Sequence, residues 1–196
     1  MTKNRLEAFS DGVLAIIITI MVLELRPPED ISFASLMPLI PKILSYVMSF
    51  AFVGIYWNNH HHLLHTVKKV NGGILWANLN LLFWLSLIPF TTAWMGEHGF
   101  AGPPVALYGI VLLMAAVAYY ILVRFILYRH GKDSVLARAI GSDFKGKISL
   151  AIYALAILFA FMLPILAQVL YALVALMWIM PDMRIERILE EEEHNQ

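Results

Sequence analysis

Residues 5–25 read RLEAFSDGVLAIIITIMVLEL, and this stretch decides the class of fold. Between position 9 and Glu24 its only charged residue is Asp11. A helix of about 20 apolar residues crosses the ~30 Å hydrocarbon core of a bilayer. Basic residues precede the run, as they do in a secretory signal, but residues 24–28 (ELRPP) offer no small-x-small cleavage site. The stretch is therefore predicted to be a retained transmembrane helix.

Comparable apolar runs recur along the chain. Hydrophobic residues make up 60% of the 196 positions and charged residues 14%, against roughly 25% charged residues in soluble domains. The six apolar runs are 9–25, 38–64, 74–95, 103–128, 146–163 and 165–180. They predict an all-α membrane protein with six transmembrane helices in a single repeat. The predicted domains are a transmembrane domain, 1–182, and a short acidic cytoplasmic tail, 183–196.

Only Pro164 separates the last two runs, which leaves two interpretations. They form either a hairpin with a tight turn or one long helix kinked at the proline. A single helix of about 35 residues would overshoot the bilayer by some 20 Å. The hairpin is therefore predicted.

Basic residues predict the orientation, because Lys and Arg concentrate in cytoplasmic loops. If the N-terminus is inside, twelve of the fourteen fall on the cytoplasmic side, and only Arg26 and Lys42 lie outside. The twelve are Lys3, Arg5, Lys68, Lys69, Arg124, Arg129, Lys132, Arg138, Lys145, Lys147, Arg184 and Arg187. With five spans, ten of the fourteen basic residues would still lie inside. The predicted orientation is therefore less sensitive than the number of spans to how the runs are counted. Both termini are predicted to be cytoplasmic.

The composition argues against several classes of function. The net charge of +0 gives no bias toward nucleic acid, and with 0 Cys there is no disulfide or thiolate chemistry. An intramembrane enzyme needs facing catalytic groups, yet the clustered candidates are interfacial histidines without a carboxylate or nucleophile nearby in sequence. The chain is predicted not to be an enzyme.

The start of the first helix allows two structural interpretations. Ser10 or Asp11 would cap the free amides of the first turn if the helix began there. Alternatively, Arg5, Glu7 and Asp11 form an ion-paired anchor at the membrane edge, where charges are tolerated when paired or hydrated.

Arg5, Phe9, Ser10, Asp11 and Gly12 form an Arg-x-x-x-Phe-Ser-Asp-Gly motif. This motif resembles the signature of the transmembrane protein 175 potassium channels of lysosomes and prokaryotes. Further positions that resemble this family are Leu23-Glu24, Trp57, His60, His61, Asn78 and Pro89. The resemblance extends from the motif to about residue 89.

The resemblance implies a potassium-selective leak channel in a bacterial-type cytoplasmic membrane. Family members with one six-helix repeat are homotetramers around four copies of the first helix. Ile16 would occupy the narrow apolar constriction, and Thr19, Ile20 and Leu23 would continue the pore outward. No cofactor is implied beyond the permeant potassium ions.

The spacing of Ile16, Ile20 and Leu23 places them on one helix face, which without the resemblance would equally suit lipid or a neighbouring helix. No TVGYG filter is present. An apolar ring would instead penalise each cation by its cost of dehydration, which is lower for potassium than for sodium. The Thr19 hydroxyl either faces the ions or bonds to a carbonyl one turn earlier.

The run from His60 to His62, with His65, suggests either a metal site or a hydrogen-bonded network. His61 and His65 lie one turn apart, but no Glu stands between them and no acidic residue occurs from 31 to 96. No metal is therefore predicted. The expected inter-helix network contains Trp57, His60, His61 and Asn78, with Asn80, Asp11 and Arg5 as further candidates.

A proton-conducting pathway or a small secondary transporter is the alternative function. Either would need ionisable residues near the midplane, and a transporter usually has repeats with broken helices. The six runs offer neither feature, so the channel is preferred.

Overall fold

The computed structural model describes residues 2–67, 69–130 and 144–179, and all of the regular secondary structure in this part of the chain is helical. It contains seven α-helices and one 3-10 helix, Phe33–Leu39, which leads directly into the second α-helix. The α-helices are α1 (Lys3–Leu23), α2 (Ile40–His65), α3 (Gly72–Ser86), α4 (Ile88–Glu97), α5 (Gly102–His130), α6 (Phe144–Ala160) and α7 (Pro164–Ile179). The predicted all-α class is confirmed.

The helices account for all six predicted spans. Within the described residues, four helical stretches are long and apolar enough to cross a membrane: Lys3–Leu23, Phe33–His65, Gly72–Glu97 and Gly102–Arg129. The remaining two, α6 and α7, have 17 and 16 residues, so each is about 25 Å long at 1.5 Å per residue. The chain is a multi-pass membrane protein.

The third span is divided into α3 and α4 by a break at Leu87. Pro89 stands at the start of α4 and has no N–H to donate to a carbonyl of the preceding turn. The N–H of Leu87 bonds to the carbonyl oxygens of Leu85 and Trp84, which closes the last turn of α3. The proline therefore breaks the helix while leaving its two halves within one membrane-length segment.

The last two helices form the predicted hairpin. The Trp178 indole near the end of α7 donates to the Ser149 hydroxyl near the start of α6 at 2.9 Å. In the middle of the pair, the Tyr153 and Tyr171 ring centroids lie 6.1 Å apart. These contacts require antiparallel helices, so a single kinked helix is excluded.

The bundle has two hydrophobic clusters. The first joins α1, α2, α3 and α5, and includes Leu14, Leu63, Leu81 and Leu122. The second joins the middle of α2 to α4–α7 and includes Phe52, Met95, Tyr108, Ala156 and Tyr171. Because α5 contributes to both clusters, it connects the N-terminal helices to the C-terminal hairpin. The predicted boundary at 182 and the acidic tail lie outside the described residues.

Gly109 on α5 marks a close approach to the hairpin. A Cβ built there would overlap the Tyr171 hydroxyl and would lie 2.9 Å from Ile157 Cγ1. Small residues at such positions allow membrane helices to pack closely. A methyl group at position 109 would push α7 away from α5.

We expect Gly109→Ala to lower the free energy of unfolding by about 1–3 kcal/mol, the usual cost of overpacking. Gly54→Ala on α2 is the matched control, since a Cβ there meets nothing within 4 Å. The control should melt at or slightly above the wild-type temperature, because Ala is the better helix former. Thermal unfolding in detergent measures both. Equal melting of the two variants would contradict the close approach of α5 and α7.

Candidate functional site

The first helix has two distinct faces. Its inner face packs against α2, α3 and α4, and five residues there are at most 2% exposed: Leu6, Ser10, Leu14, Ile17 and Met21. The opposite face includes Ile16 at 59%, Ile20 at 44% and Leu23 at 71% exposure. Both sets recur every three or four residues, as helix geometry requires.

The exposed face of α1 carries every residue that the sequence analysis assigned to the pore. Phe9 and Gly12 from the signature motif lie on this face too, below Ile16 and Thr19. We call the set Phe9, Gly12, Ile16, Thr19, Ile20 and Leu23 the α1 stripe. Within one chain the stripe is open, so lipid or another copy of the protein must cover it.

Thr19 is the polar group in the outer half of the stripe. Its hydroxyl donates to the carbonyl oxygen of Ala15 at 2.8 Å, which is the back-bond that the sequence left as one alternative. Because that bond uses the hydroxyl hydrogen, the lone pairs of the oxygen remain available to accept or to coordinate. The back-bond and a role toward cations are therefore compatible.

Neither Ser10 nor Asp11 caps the helix. α1 begins at Lys3 after Thr2, so both residues lie two turns inside it, and the capping prediction is wrong. Ser10 instead donates its hydroxyl hydrogen to the carbonyl oxygen of Leu6 at 2.9 Å. It is fully buried, at 0% exposure.

Ser10 belongs to a buried chain of hydrogen bonds across three helices. His60 Nε2 on α2 donates to Asn78 Oδ1 on α3 at 2.6 Å. Asn78 Nδ2 donates to Ser10 Oγ at 2.9 Å. Because the Asn78 oxygen can only accept, His60 carries its proton on Nε2, and its Nδ1 has no partner among the described residues.

A second set of contacts joins α1 to the end of α2 nearer to solvent. The Trp57 indole donates to Asp11 Oδ1 at 3.1 Å. The Trp57 ring is stacked on His61, whose Nδ1 lies 3.0 Å from Glu7 Oε1. The structure thus brings together the motif carboxylate and the tryptophan and histidine that the sequence placed in the network.

Two predicted members of the network lie elsewhere. Arg5 is exposed, and within the described residues no side chain pairs with its guanidinium group. Asn80 is also exposed, because it lies two residues from Asn78 and therefore faces the other side of α3. Their inclusion in the network is wrong for the single chain.

Glu7 was expected in an anchor with Arg5 and Asp11, and its pairing with the histidines of α2 was missed. His61 and His65 were expected to lack a carboxylate, but α1 brings Glu7 Oε1 to 3.0 Å from His61 Nδ1 and 3.9 Å from His65 Nε2. The spacing of Glu7 and Asp11, one turn apart on α1, was the available signal. Glu7 and Asp11 are four residues apart on α1, as Trp57 and His61 are on α2. When Asp11 contacts Trp57, Glu7 therefore lies next to His61.

A lysine contact joins neighbouring helices at each end of the bundle. At one end Lys3 Nζ donates to the carbonyl oxygen of His65 at 3.0 Å, joining the start of α1 to the end of α2. At the other end Lys42 Nζ lies 3.2 Å from Glu97 Oε1. Lys3 and Lys42 therefore lie at opposite ends of the bundle.

The fold and this arrangement define a class: a multi-pass helical membrane protein whose first helix is anchored on one face by polar contacts and open along an apolar stripe on the other. Comparison with known proteins identifies the family. A family model described as the endosomal/lysosomal potassium channel TMEM175 matches residues 5–89. The chain belongs to the TMEM175 family, as its relatives also show.

One relative, from Chryseobacterium sp. strain P1-3, is named a potassium channel and is 61% identical over 97% of this chain and 100% of its own length. Human TMEM175, named an endosomal/lysosomal proton channel, is 33% identical over 53% of this chain and 23% of the human protein. The crystal structure of a lysosomal potassium-selective channel TMEM175 homolog from Chamaesiphon minutus superposes with a TM-score of 0.81. That match has 26% identity and covers 92% of this chain and 97% of the other.

We expect Asn78→Leu to destabilise the protein by about 1–3 kcal/mol, because the buried groups of His60 and Ser10 would lose their shared partner. Asn80→Leu makes the same substitution on the exposed face of α3 and should change the melting temperature little. Thermal unfolding of both variants in detergent checks the difference. If both melt like the wild type, the buried chain of hydrogen bonds does not hold α1 in place.

Proposed function

We propose that this chain forms a potassium-selective leak channel, a homotetramer in which four copies of α1 line the pore. The α1 stripe is the observation that carries the proposal. It is apolar, open and continuous on one chain, while the opposite face of the same helix is buried. The potassium-channel names of the Chryseobacterium and Chamaesiphon relatives support the choice of ion.

The proposed constriction is Ile16, with wider apolar layers at Ile20 and Leu23. Four isoleucine side chains around an axis offer no atoms to replace the water around a cation. Each ion then crosses at the cost of partial dehydration, which is smaller for potassium than for sodium. The same narrow apolar ring gates by dewetting when it contracts.

We also propose that the channel acts in the cytoplasmic membrane with both termini inside, and that it has no enzymatic activity or cofactor. The distribution of basic residues supports this orientation. The contacts at the two ends of the bundle keep Lys3 and Lys42 on opposite sides. Transport requires only the permeant ions and the lipid bilayer.

The orientation can be tested cleanly because the chain has 0 Cys. We expect Ser32→Cys, between α1 and α2, to react with a membrane-impermeant maleimide on intact spheroplasts. Lys69→Cys, between α2 and α3, should react only after the cells are opened. Both native residues are exposed. The reverse pattern would place both termini outside.

For the pore, we expect Ile16→Asn to raise single-channel current and reduce the preference for potassium over sodium, because an amide ring is wetted. The measurement is current and reversal potential in mixed potassium and sodium, on purified protein whose mass in detergent corresponds to four chains. Ile110→Asn is the matched control, because Ile110 is 40% exposed and lies on α5. It should leave selectivity unchanged.

Ile17 supplies a second control on α1 itself. It is 2% exposed, so a polar substitution there would disrupt the packing of α1 against the neighbouring helices. Ile17→Val instead costs about 0.5–1.5 kcal/mol of stability and should leave permeation unchanged. If the Ile16→Asn and Ile110→Asn channels have the same current and the same preference for potassium over sodium, α1 does not form the constriction. A proton current without potassium current would favour the alternative function.

A further inference from the structure

We propose that Glu7, His61 and His65 form a binding site for a first-row transition-metal ion, with zinc as the representative. One ligand atom from each of these three residues lies within 4.8 Å of the other two. The site joins α1 to α2 outside the α1 stripe. Among the described residues, this is the one group of three or more His, Asp or Glu side chains with this geometry.

The distances are close to those that a metal requires. Glu7 Oε1 lies 3.0 Å from His61 Nδ1 and 3.9 Å from His65 Nε2. Two ligands about 2.1 Å from a tetrahedral zinc are separated by roughly 3.4 Å. Small rotations of the side chains therefore suffice to surround an ion, without movement of either helix.

The ligand types determine which ions fit. Two imidazole nitrogens and one carboxylate oxygen suit zinc, nickel, cobalt and copper, whereas magnesium and calcium prefer sites built from oxygen alone. The His61 and His65 side chains are 39% and 49% exposed, and Glu7 is 18% exposed. Water can therefore reach the site and fill the remaining coordination positions.

The surroundings hold the ligands in place. His61 stacks on Trp57 at a centroid distance of 6.2 Å, and Trp57 is fixed by its bond to Asp11. The His61 and His65 rings contact each other edge to face at 4.7 Å. Among the described residues, Lys3 opposes a cation at this site, because its Nζ donates to the carbonyl oxygen of His65.

A metal at this site would tie the beginning of α1 to the end of α2. Such an ion binds the folded arrangement and not the separated helices, so it raises the stability of the folded protein. The inference does not depend on the proposed channel function. Zinc binding and potassium flux are separate measurements, and either can fail alone.

The test is calorimetric titration of zinc into the full-length protein at pH 7.5, after removal of the affinity tag and treatment with a chelator. We expect one zinc per chain, with magnesium giving no saturable signal. Glu7→Gln and His65→Gln should each weaken binding by at least about 10–100-fold, the loss seen when even an outer-shell partner is removed. Lys3→Gln should strengthen it about two- to fivefold, by removing a nearby like charge.

His62→Gln is the matched control, since His62 is on the same helix but outside the three-residue group. It should bind zinc as the wild type does. Zinc should also raise the melting temperature of the wild type and of His62→Gln, but not of Glu7→Gln or His65→Gln. The absence of saturable zinc binding, or equal binding by wild type, Glu7→Gln and His65→Gln, would overturn the proposal. So would an equal loss in His62→Gln.

Discussion

The buried hydrogen bonds from His60 through Asn78 to Ser10 are the constraint on which the rest of the site depends. These side chains are at most 2% exposed, so each needs a hydrogen-bond partner within the protein. The three residues come from α2, α3 and α1. Their bonds therefore fix the depth of the three helices and the rotation of α1 about its axis.

That rotation determines which residues face away from the bundle. Ser10 and Ile16 are six residues apart, which places them about 120° apart around a helix of 3.6 residues per turn. Holding Ser10 inward therefore turns Ile16 outward, and Ile17 follows Leu14 into the core. Turning α1 by one residue, so that Ile16 took the place of Ile17, would separate Ser10 from Asn78. The polar network therefore selects which face of α1 is exposed.

The partly exposed contacts of α1 determine how firmly the beginning of this helix is attached to α2. Asp11 with Trp57, and Glu7 with His61, join side chains that are partly exposed, where a hydrogen bond or ion pair contributes less than in the core. Apolar packing also holds α1 on one face only. The beginning of α1 is therefore held by several modest contacts, which a bound ion can strengthen.

Much of the fold follows from hydropathy, because the length of an apolar run and the positions of basic residues report directly on the bilayer. The break near Leu87 was in principle visible through Pro89. The partners of α1 were harder to predict, since a contact between helices depends on the rotation of both. Arg5 was included for its predicted depth and for the family resemblance, and Asn80 as a polar residue of a membrane helix, but both are exposed in the structure. The pairing of Glu7 with His61 was overlooked because the two residues are more than fifty positions apart in the sequence.

The α1 stripe combines apolar side chains with one oxygen, and the order matters for a permeating cation in the proposed tetramer. Thr19 lies three residues beyond Ile16, or about 4.5 Å further along the helix axis. Its hydroxyl hydrogen is engaged by the carbonyl of Ala15, so four such residues would direct lone pairs and not hydrogens toward the axis. An ion that loses part of its water at the isoleucine ring would then meet four oxygens within one helical turn. The same lone pairs would repel an anion. The hydrogen bond from Thr19 to Ala15 therefore favours cations, although that bond itself does not contact the ion.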